Sequence, residues 1–377
     1  MVCIIVVNWN RWGDTIECLE SVFRLDYGDF QVVLCDNGST DRSVEQIKAW
    51  ADGELPPVQA NHALRDLTGS ATRKPRPVGG DEGRNKQPAS SLPGSPALGA
   101  GSFTFPPVPK PIRYAEYVYD DIERMTDATN EDAPLVLIRT GANRGFAGGN
   151  NVGLRYAMKR RDMEFVWLLN NDTVVHKDAL SSMVMLMRRN PSAGICGSKI
   201  ISYFEPDKVQ SLGGCTFNKW LGISAHIGAK TAASLAVDKS DVLRQMAYVT
   251  GTSMLVSQPF LSDVGLMNER YFLYYEEIDW VIRANNRYSL EFTPDSVVYH
   301  KEGASTGTTR SYFADFYVIQ SRIRFTRHHF PYALPTVYLG LVCMLFNRIR
   351  RNQWDRVALM LRMAAGSSRC RPANESR

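Results

Sequence analysis

Four clusters of polar residues interrupt apolar stretches of the 377-residue chain. They are Asp36 and Asn37 in CDNGSTD, the loop NRGFAGGNN from Asn143, the Asn170–Asn171–Asp172 tip after FVWLL, and Glu276, Glu277 and Asp279 in FLYYEEIDW, with His300 following in VVYHKEGAS. Two amides and a carboxylate at a strand end offer hard oxygen donors to a Mg²⁺ or Mn²⁺ that bridges a diphosphate. Acidic side chains in a first helical turn oppose the helix dipole, but three together exceed what capping requires. One of them, held beside a leaving group, can take a proton from an attacking hydroxyl.

Each cluster also has a plainer explanation. Asn-Gly-Ser-Thr-Asp is ordinary turn and capping chemistry, and a lone histidine at a strand end is commonly structural. The glycines at 145, 148 and 149 before a helix would let backbone N–H groups approach an anion, or simply form a turn. The loop is neither a dinucleotide fingerprint after the first strand nor a phosphate loop ending in Gly-Lys-Ser/Thr. What favours one composite site is that all four clusters fall at strand ends or helix starts, and strand ends on one edge of a parallel sheet converge.

The elements that would position them follow from periodicity. Val2 to Val7 is a β-branched run suited to a strand covered on both faces, followed by a helix with Ile16, Leu19, Val22 and Phe23 on one stripe. Further strands are expected at 31–35, 135–138, 165–170 and 193–200, with helices at 43–50, after the glycine loop and around Leu180 to Leu186. Strand, loop and helix repeat in this way through the first two hundred residues, which is an α/β sandwich with a mostly parallel sheet. Beyond Tyr203 a hairpin, a strand at 247–257, a helix running through FLYYEEIDWVIRANNR and a short strand ending at His300 are expected. Residues 52–129, rich in Pro, Gly, Ser and charge, read as a largely disordered or irregular insertion.

The ordered set VVNWNR, CDNGSTD, NRGFAGGNNVG, LLNNDT, VTGTSMLV, FLYYEEIDW and VVYHKEGAS resembles the family 2 glycosyltransferases, in particular their rhamnosyltransferase-like branch. The resemblance covers residues 1–305 apart from the insertion. It implies a GT-A fold, a nucleoside-diphosphate sugar donor, a divalent cation and direct displacement with inversion. By that resemblance Asn8, Asn10, Asp36, Asn37, Asn143, Arg144, Gly145, Gly149, Asn150 and Asn171 would line the donor pocket. Asp172, Asn170 and His300 would hold the metal. The second acidic residue of the family's Glu-Asp signature, its usual base, falls on Glu277; this departs from the family by one methylene, with Asp279 and Glu276 as the alternatives. The implied donor is dTDP-rhamnose, with UDP- or GDP-hexoses as alternatives, and the implied acceptor a saccharide or a lipid-linked glycan in cell-surface polysaccharide synthesis.

Composition sets the outer bounds. Hydrophobic residues make up 44% and charged residues 22%, so the chain is of ordinary globular composition, and the formal net charge is a mild +5. No nucleic-acid partner is expected. Seven cysteines fall at no metal spacing, which suits a reducing, cytoplasmic compartment. MVCIIVV lacks the basic flank of a signal peptide. The region 306–377 reads as helical and basic, suited to an anionic membrane surface or a homodimer contact; its apolar run from Ala333 to Phe346 is broken by Pro335 and shorter than the ~20 residues a spanning helix needs. Two other classes share some of these features. A sugar nucleotidyltransferase would carry a basic glycine-rich loop after its first strand, and VVNWNRWGD has none. A non-catalytic carbohydrate-binding protein would not need Asp172 or Glu277.

Overall fold

The structure is a computed structural model, and it describes residues 1–55, 104, 106–301 and 312–364. The expected α/β architecture is present, with a mostly parallel central sheet, helices on both faces and additional C-terminal helices. The strands are β1 (Val2–Asn8), β2 (Phe30–Asp36), β3 (Tyr114–Val118), β4 (Leu135–Arg139), β5 (Phe165–Asn170), β6 (Thr173–Val175), β7 (Ala193–Ser202), β8 (Val209–Leu212), β9 (Gly214–Asn218), β10 (Ile223–His226), β11 (Tyr248–Val249), β12 (Ser253–Ser257) and β13 (Ser289–His300). The helices are α1 (Trp12–Val22), α2 (Ser43–Asp52), α3 (Tyr119–Arg124), α4 (Gly145–Ala157), α5 (Ala179–Arg189), α6 (Lys239–Gln245), α7 (Gln258–Val264), α8 (Glu276–Arg283), α9 (Tyr312–His329), α10 (Leu334–Arg350) and α11 (Trp354–Ala364).

The large sheet runs β3-β4-β2-β1-β5-β12-β7-β13-β6, with β8 beside β7, and a small sheet runs β10-β9-β11. From β3 to β5 every pairing is parallel, while β12 is antiparallel to both β5 and β7. Pleating sends alternate residues of β1 to opposite faces. Val2, Ile4 and Val6 join the core under α1, α2 and α5, whereas Cys3 and Ile5 join the core under α4, α7 and α8. That two-sided burial explains the unbroken apolar run. Each such Val or Ile contributes roughly 1.5–3 kcal/mol by leaving water.

Register fixes which residues meet at the sheet's edge. Asn8 pairs with Asp36, Val7 with Asn170 and His300 with Thr173, so the polar tips of β1, β2, β5 and β13 are brought level.

Three local expectations change. The stretch 52–129 is not irregular to its end: β3 and α3 lie within it, and β3 is the sheet's edge strand. Its heart at 56–103 lies outside the described residues. The acidic helix does not include FLYY but begins at Glu276. Pro335 does not break the C-terminal apolar run, because it occupies the first turn of α10, where its missing N–H would have no intrahelical partner anyway. The stretch Pro331–Arg350 is therefore a 20-residue helix long and apolar enough to cross a membrane by length and composition.

Candidate active site

Asn8 and Asp36 end their strands locked together. Asn8 Nδ2 donates to Asp36 Oδ1 at 2.9 Å and to Ser39 Oγ at 3.0 Å, and the Ser39 amide donates to Asp36 Oδ2 at 3.1 Å. Both side chains are buried. Each Asp36 oxygen accepts a donor and keeps further lone-pair capacity. Asn10 stands at φ +54° with its Oδ1 accepting the Thr40 amide at 2.7 Å.

The network extends to β5 through a residue that sequence reasoning did not single out. Asn171 Nδ2 donates to Thr15 Oγ1 at 2.9 Å, and Thr15 Oγ1 donates to Asn8 Oδ1 at 2.7 Å. Thr15 sits one turn into α1 and faces the sheet, and its only sequence signal is a small polar residue on the helix's otherwise apolar stripe. Asn171 therefore does more than line the donor pocket that the resemblance implies. It ties the β5 tip to the Asp36 corner through a buried chain.

The glycine loop is built as a packing device. Asn37 takes the Arg144 amide on Oδ1 at 3.0 Å and donates to Asn143 Oδ1 and the Gly145 carbonyl, both at 3.1 Å. The Gly145 amide donates to Asn143 Oδ1 at 2.9 Å and the Phe146 amide to the Phe272 carbonyl at 2.8 Å. The amides of 144, 145 and 146 are thus already engaged, and the first turn of α4 presents fewer free N–H groups than the loop's composition suggests. Gly145 has φ +70°, and a Cβ there would lie 2.2 Å from the Phe272 carbonyl oxygen. Gly149 lets α4 approach β1, since a Cβ would fall 2.9 Å from Val7 Cγ1. Arg144 turns its guanidinium over the Tyr119 ring at 3.8 Å, and Asn150 Nδ2 donates to the Phe146 carbonyl at 2.9 Å within its own helix.

At the β5 and β13 tips, His300 Nε2 lies 3.2 Å from Asp172 Oδ1, while His300 Nδ1 lies 2.9 Å from Gln210 Oε1. Burial acts to raise the Asp172 carboxyl, but His300 and Lys301 outweigh it and hold it below its ordinary value. It is an anion at neutral pH. Lys301 is itself buried, with Nζ donating to Asp14 Oδ1 at 2.7 Å and pairing with Glu17. Asn170 is half-buried and its side-chain amide makes no hydrogen bond among the described residues, so its oxygen is free to ligate.

The resemblance of the sequence motifs to family 2 glycosyltransferases implies a divalent cation at these residues. With Nδ1–H donating to Gln210, the Nε2 lone pair of a neutral His300 faces the Asp172 carboxylate, an arrangement that a shared proton or cation relieves. Imidazole, carboxylate and amide oxygen form a donor set that suits Mn²⁺ or Mg²⁺. Among the described residues there is no group of three or more His, Cys, Asp or Glu side chains able to hold a metal, so remaining positions would fall to diphosphate oxygens and water.

The three carboxylates of α8 divide by environment. Asp279 accepts from Arg283 Nε at 2.9 Å and lies 2.8 Å from His329 Nε2. Burial acts to raise it, His329 and Arg283 win, and its carboxyl is held below the ordinary value. Asp279 is a clamp between α8 and α9, whereas Glu276 and Glu277 have no cationic partner among the described residues. Burial pushes both up, Glu276 well above its ordinary value with the Glu277 charge adding to the effect. Glu277 Oε1 accepts the Gly251 amide at 3.2 Å, and the next residue, Thr252, gives its carbonyl to the Asn170 amide at 3.1 Å. Glu277 is thereby held beside the β5 tip. Glu276 Oε2 is buried without a partner among the described residues.

The turn that presents them is strained. Tyr274 and Tyr275 both lie in the left-handed region, at φ +68° and +73°. Such geometry costs bulky residues about 1–3 kcal/mol each and persists only where surrounding structure imposes it. Helix α9 supplies much of that structure: Phe272 stacks on Tyr317 at 4.6 Å, Ser321 Oγ donates to the Leu273 carbonyl at 3.0 Å, and Tyr275 packs on Phe325 at 5.4 Å.

Residues 3–62 and 120–220 match the family model described as Glycosyl transferase family 2. A low-salt glycan biosynthesis hexosyltransferase, Agl10 of Haloferax volcanii, is 27% identical over 149 residues, 39% of this chain and 45% of that protein, so the chain aligns with less than half of this curated relative. Among solved structures, the Pyrobaculum calidifontis mannosyltransferase PcManGT in complex with GDP-Man and Mn²⁺ is 16% identical, with 97% of this chain and 79% of that one covered at a TM-score of 0.46. S. aureus TarS 1-349 is 13% identical, with 95% and 79% covered at a TM-score of 0.41. The matched residues include Asn8, Asp36, the Asn143 loop and Asp172, so the similarity to Glycosyl transferase family 2 falls on the strand tips described above.

Proposed function

We propose that the chain is an inverting hexosyltransferase that moves a sugar from a nucleoside-diphosphate donor to an acceptor hydroxyl. The observation that carries this reading is the convergence of two chemically different groups on one sheet edge. An ionised Asp172 sits against His300, and Glu277, pushed up by burial, accepts the Gly251 amide, whose neighbour Thr252 gives its carbonyl to the Asn170 amide at the same strand tip.

In this reading Asp36 accepts N–H or O–H groups of the nucleoside, its orientation set by Asn8 and Ser39. Asp172, His300 and Asn170 would hold the divalent cation, which supplies positive charge to the departing diphosphate. Glu277 takes the proton from the acceptor hydroxyl as its oxygen bonds to the anomeric carbon and the bond to the diphosphate breaks. A base raised above the ordinary glutamate range holds that proton better than an unperturbed one. Direct displacement needs no protein nucleophile, and it inverts the anomeric carbon. The hexosyltransferase relative supports a hexose; L-rhamnose from dTDP-rhamnose is the donor we place first, with UDP- and GDP-hexoses as the alternatives. The acceptor is proposed to be a saccharide or a lipid-linked glycan of a cell-surface polysaccharide, met in the cytoplasm.

The test is release of nucleoside diphosphate from a panel of dTDP-, UDP- and GDP-sugars with Mn²⁺ or Mg²⁺ and a mixed glycan acceptor. Release from at least one donor is expected. Binding of donors without release from any would leave a sugar-binding protein, and formation of nucleotide sugar from sugar phosphate would make it a nucleotidyltransferase.

A further inference from the structure

The C-terminal helices carry a surface that the transfer reaction does not use. From Pro331 to Asn347 the sequence contains no Asp, Glu, Lys, Arg or His. The stretch Pro331–Arg350 has a mean hydropathy of 1.3 over its most apolar window, and only 17% of that window is buried. Val337 and Leu341 pack inward, while Leu339, Val342 and Phe346 stand 63%, 46% and 66% exposed on the opposite side at spacings of three and four. A soluble surface rarely leaves such a stripe uncovered.

A second, distant element extends it. The tip of the β9–β10 hairpin exposes Trp220, Leu221 and Ile223, and Trp220 meets Tyr332 edge-on at 5.4 Å. The Thr336 hydroxyl donates to the Trp220 carbonyl at 2.5 Å, which fixes the hairpin beside the start of α10. At the far end Trp354 and Leu361 of α11 are also exposed. Aromatic rings thus flank a central aliphatic stripe.

The charge around the stripe is almost all positive. Arg350, Arg351 and Arg362 are exposed, and Asp355 is the only acidic residue between 331 and 364. Alongside α10, a groove of about 1160 Å³ places Arg324 and Arg327 of α9 against Leu341, Val342 and Leu345. An apolar stripe bordered by aromatics and arginines matches the layering of a bilayer interface with anionic headgroups.

We propose that α10, α11 and the β9–β10 tip seat the chain on an anionic bilayer, with α10 lying flat in the interface and not crossing it. The arginines decide the orientation. A crossing α10 would draw Arg324 and Arg327, which share its groove, into hydrocarbon, whereas a flat helix lets their heads reach lipid phosphates. Helix α9, which lines the same groove as α10, holds the turn before Glu276, so docking would set the catalytic face at a fixed height above the membrane. The inference stands whichever sugar is transferred.

The test is flotation of the full chain with vesicles of pure phosphatidylcholine and of phosphatidylcholine with 30% phosphatidylglycerol. Flotation with the anionic vesicles at least tenfold above the neutral ones is expected, reversed by alkaline carbonate. Leu339→Glu with Phe346→Glu should lower binding at least tenfold at unchanged melting temperature, and Arg350→Glu with Arg351→Glu should erase the anionic preference. The Arg350/Arg351 pair keeps the test open if the first pair fails to fold. Wild-type binding equal on both vesicles, binding unchanged by both variants, or resistance to carbonate would overturn the proposal. So would a dimer that the Leu339/Phe346 variant disperses in a chain that does not float.

Discussion

The strand tips and the turn before α8 are joined by hydrogen bonds through Gly251 and Thr252 but are built on opposite terms. At the tips, the buried Asn171, Thr15, Asn8 and Asp36 and the half-buried Ser39 form one chain in which each member has a partner. Before α8, two consecutive tyrosines are held at positive φ, Glu276 Oε2 has no partner among the described residues, and two adjacent carboxyls are pushed up by burial. A satisfied network holds a fixed shape at little cost, which suits recognition of a donor. A strained turn with raised carboxyls gives up stability for reactivity, which suits proton transfer.

Four substitutions probe that contrast, and the largest effect belongs to the strained side. Glu277→Gln should lower transfer by about 10²–10⁴-fold, the range of general-base catalysis, as measured by nucleoside-diphosphate release. A larger loss in Glu276→Gln than in Glu277→Gln would move the base one residue. Next, Gly145→Ala places a Cβ against the Phe272 carbonyl, forcing apart the donor loop and the turn that leads to Glu276. We expect it to cost on the order of 2–4 kcal/mol in chemical denaturation; a change below ~0.5 kcal/mol would mean the two segments are not coupled.

On the satisfied side, Asn171→Leu removes the donor to Thr15 and should cost about 1–3 kcal/mol, with donor affinity falling more than turnover. Wild-type stability would show that the chain does not hold the corner. The smallest effect is a slope. Glu276 is raised in the fold, so the folded state binds more protons than the unfolded one, and its contribution is present below the ordinary glutamate range and lost as pH rises through the raised value. Glu276→Gln should therefore flatten the fall in melting temperature between weakly acidic and neutral pH, and an unchanged slope would contradict the assignment. The same sign gives transfer an acidic limb above the usual glutamate value of ~4.3, because Glu277 must lose its proton to act.

Much of this arrangement was legible in the sequence because it rests on burial. β1 reads as a strand covered on both faces since both faces are covered, and the polar residues that end β1, β2, β5 and β13 stand out against that burial. What escaped notice depends on partners far away in the chain. β3 is a half-exposed edge strand, so Tyr114 to Val118 carries little of the apolar run that marks its neighbours. FLYY has a helical composition, and only packing on α9 shows that two of its tyrosines stand at positive φ. Asp279 looks like a third candidate base until His329, fifty residues on, is seen 2.8 Å away. Pro335 looks like a helix breaker unless the start of α10 is known to fall one residue earlier.

The division of labour between the two regions is tested most directly by measuring donor binding and turnover together, by calorimetry and product release, on Asp172→Asn and Glu277→Gln. The account predicts a crossed result. Asp172→Asn should weaken cation-dependent donor binding by about 10–100-fold, whereas Glu277→Gln should keep donor binding within about twofold while turnover collapses. Loss of donor binding in Glu277→Gln, or cation-dependent binding untouched in Asp172→Asn, would contradict it.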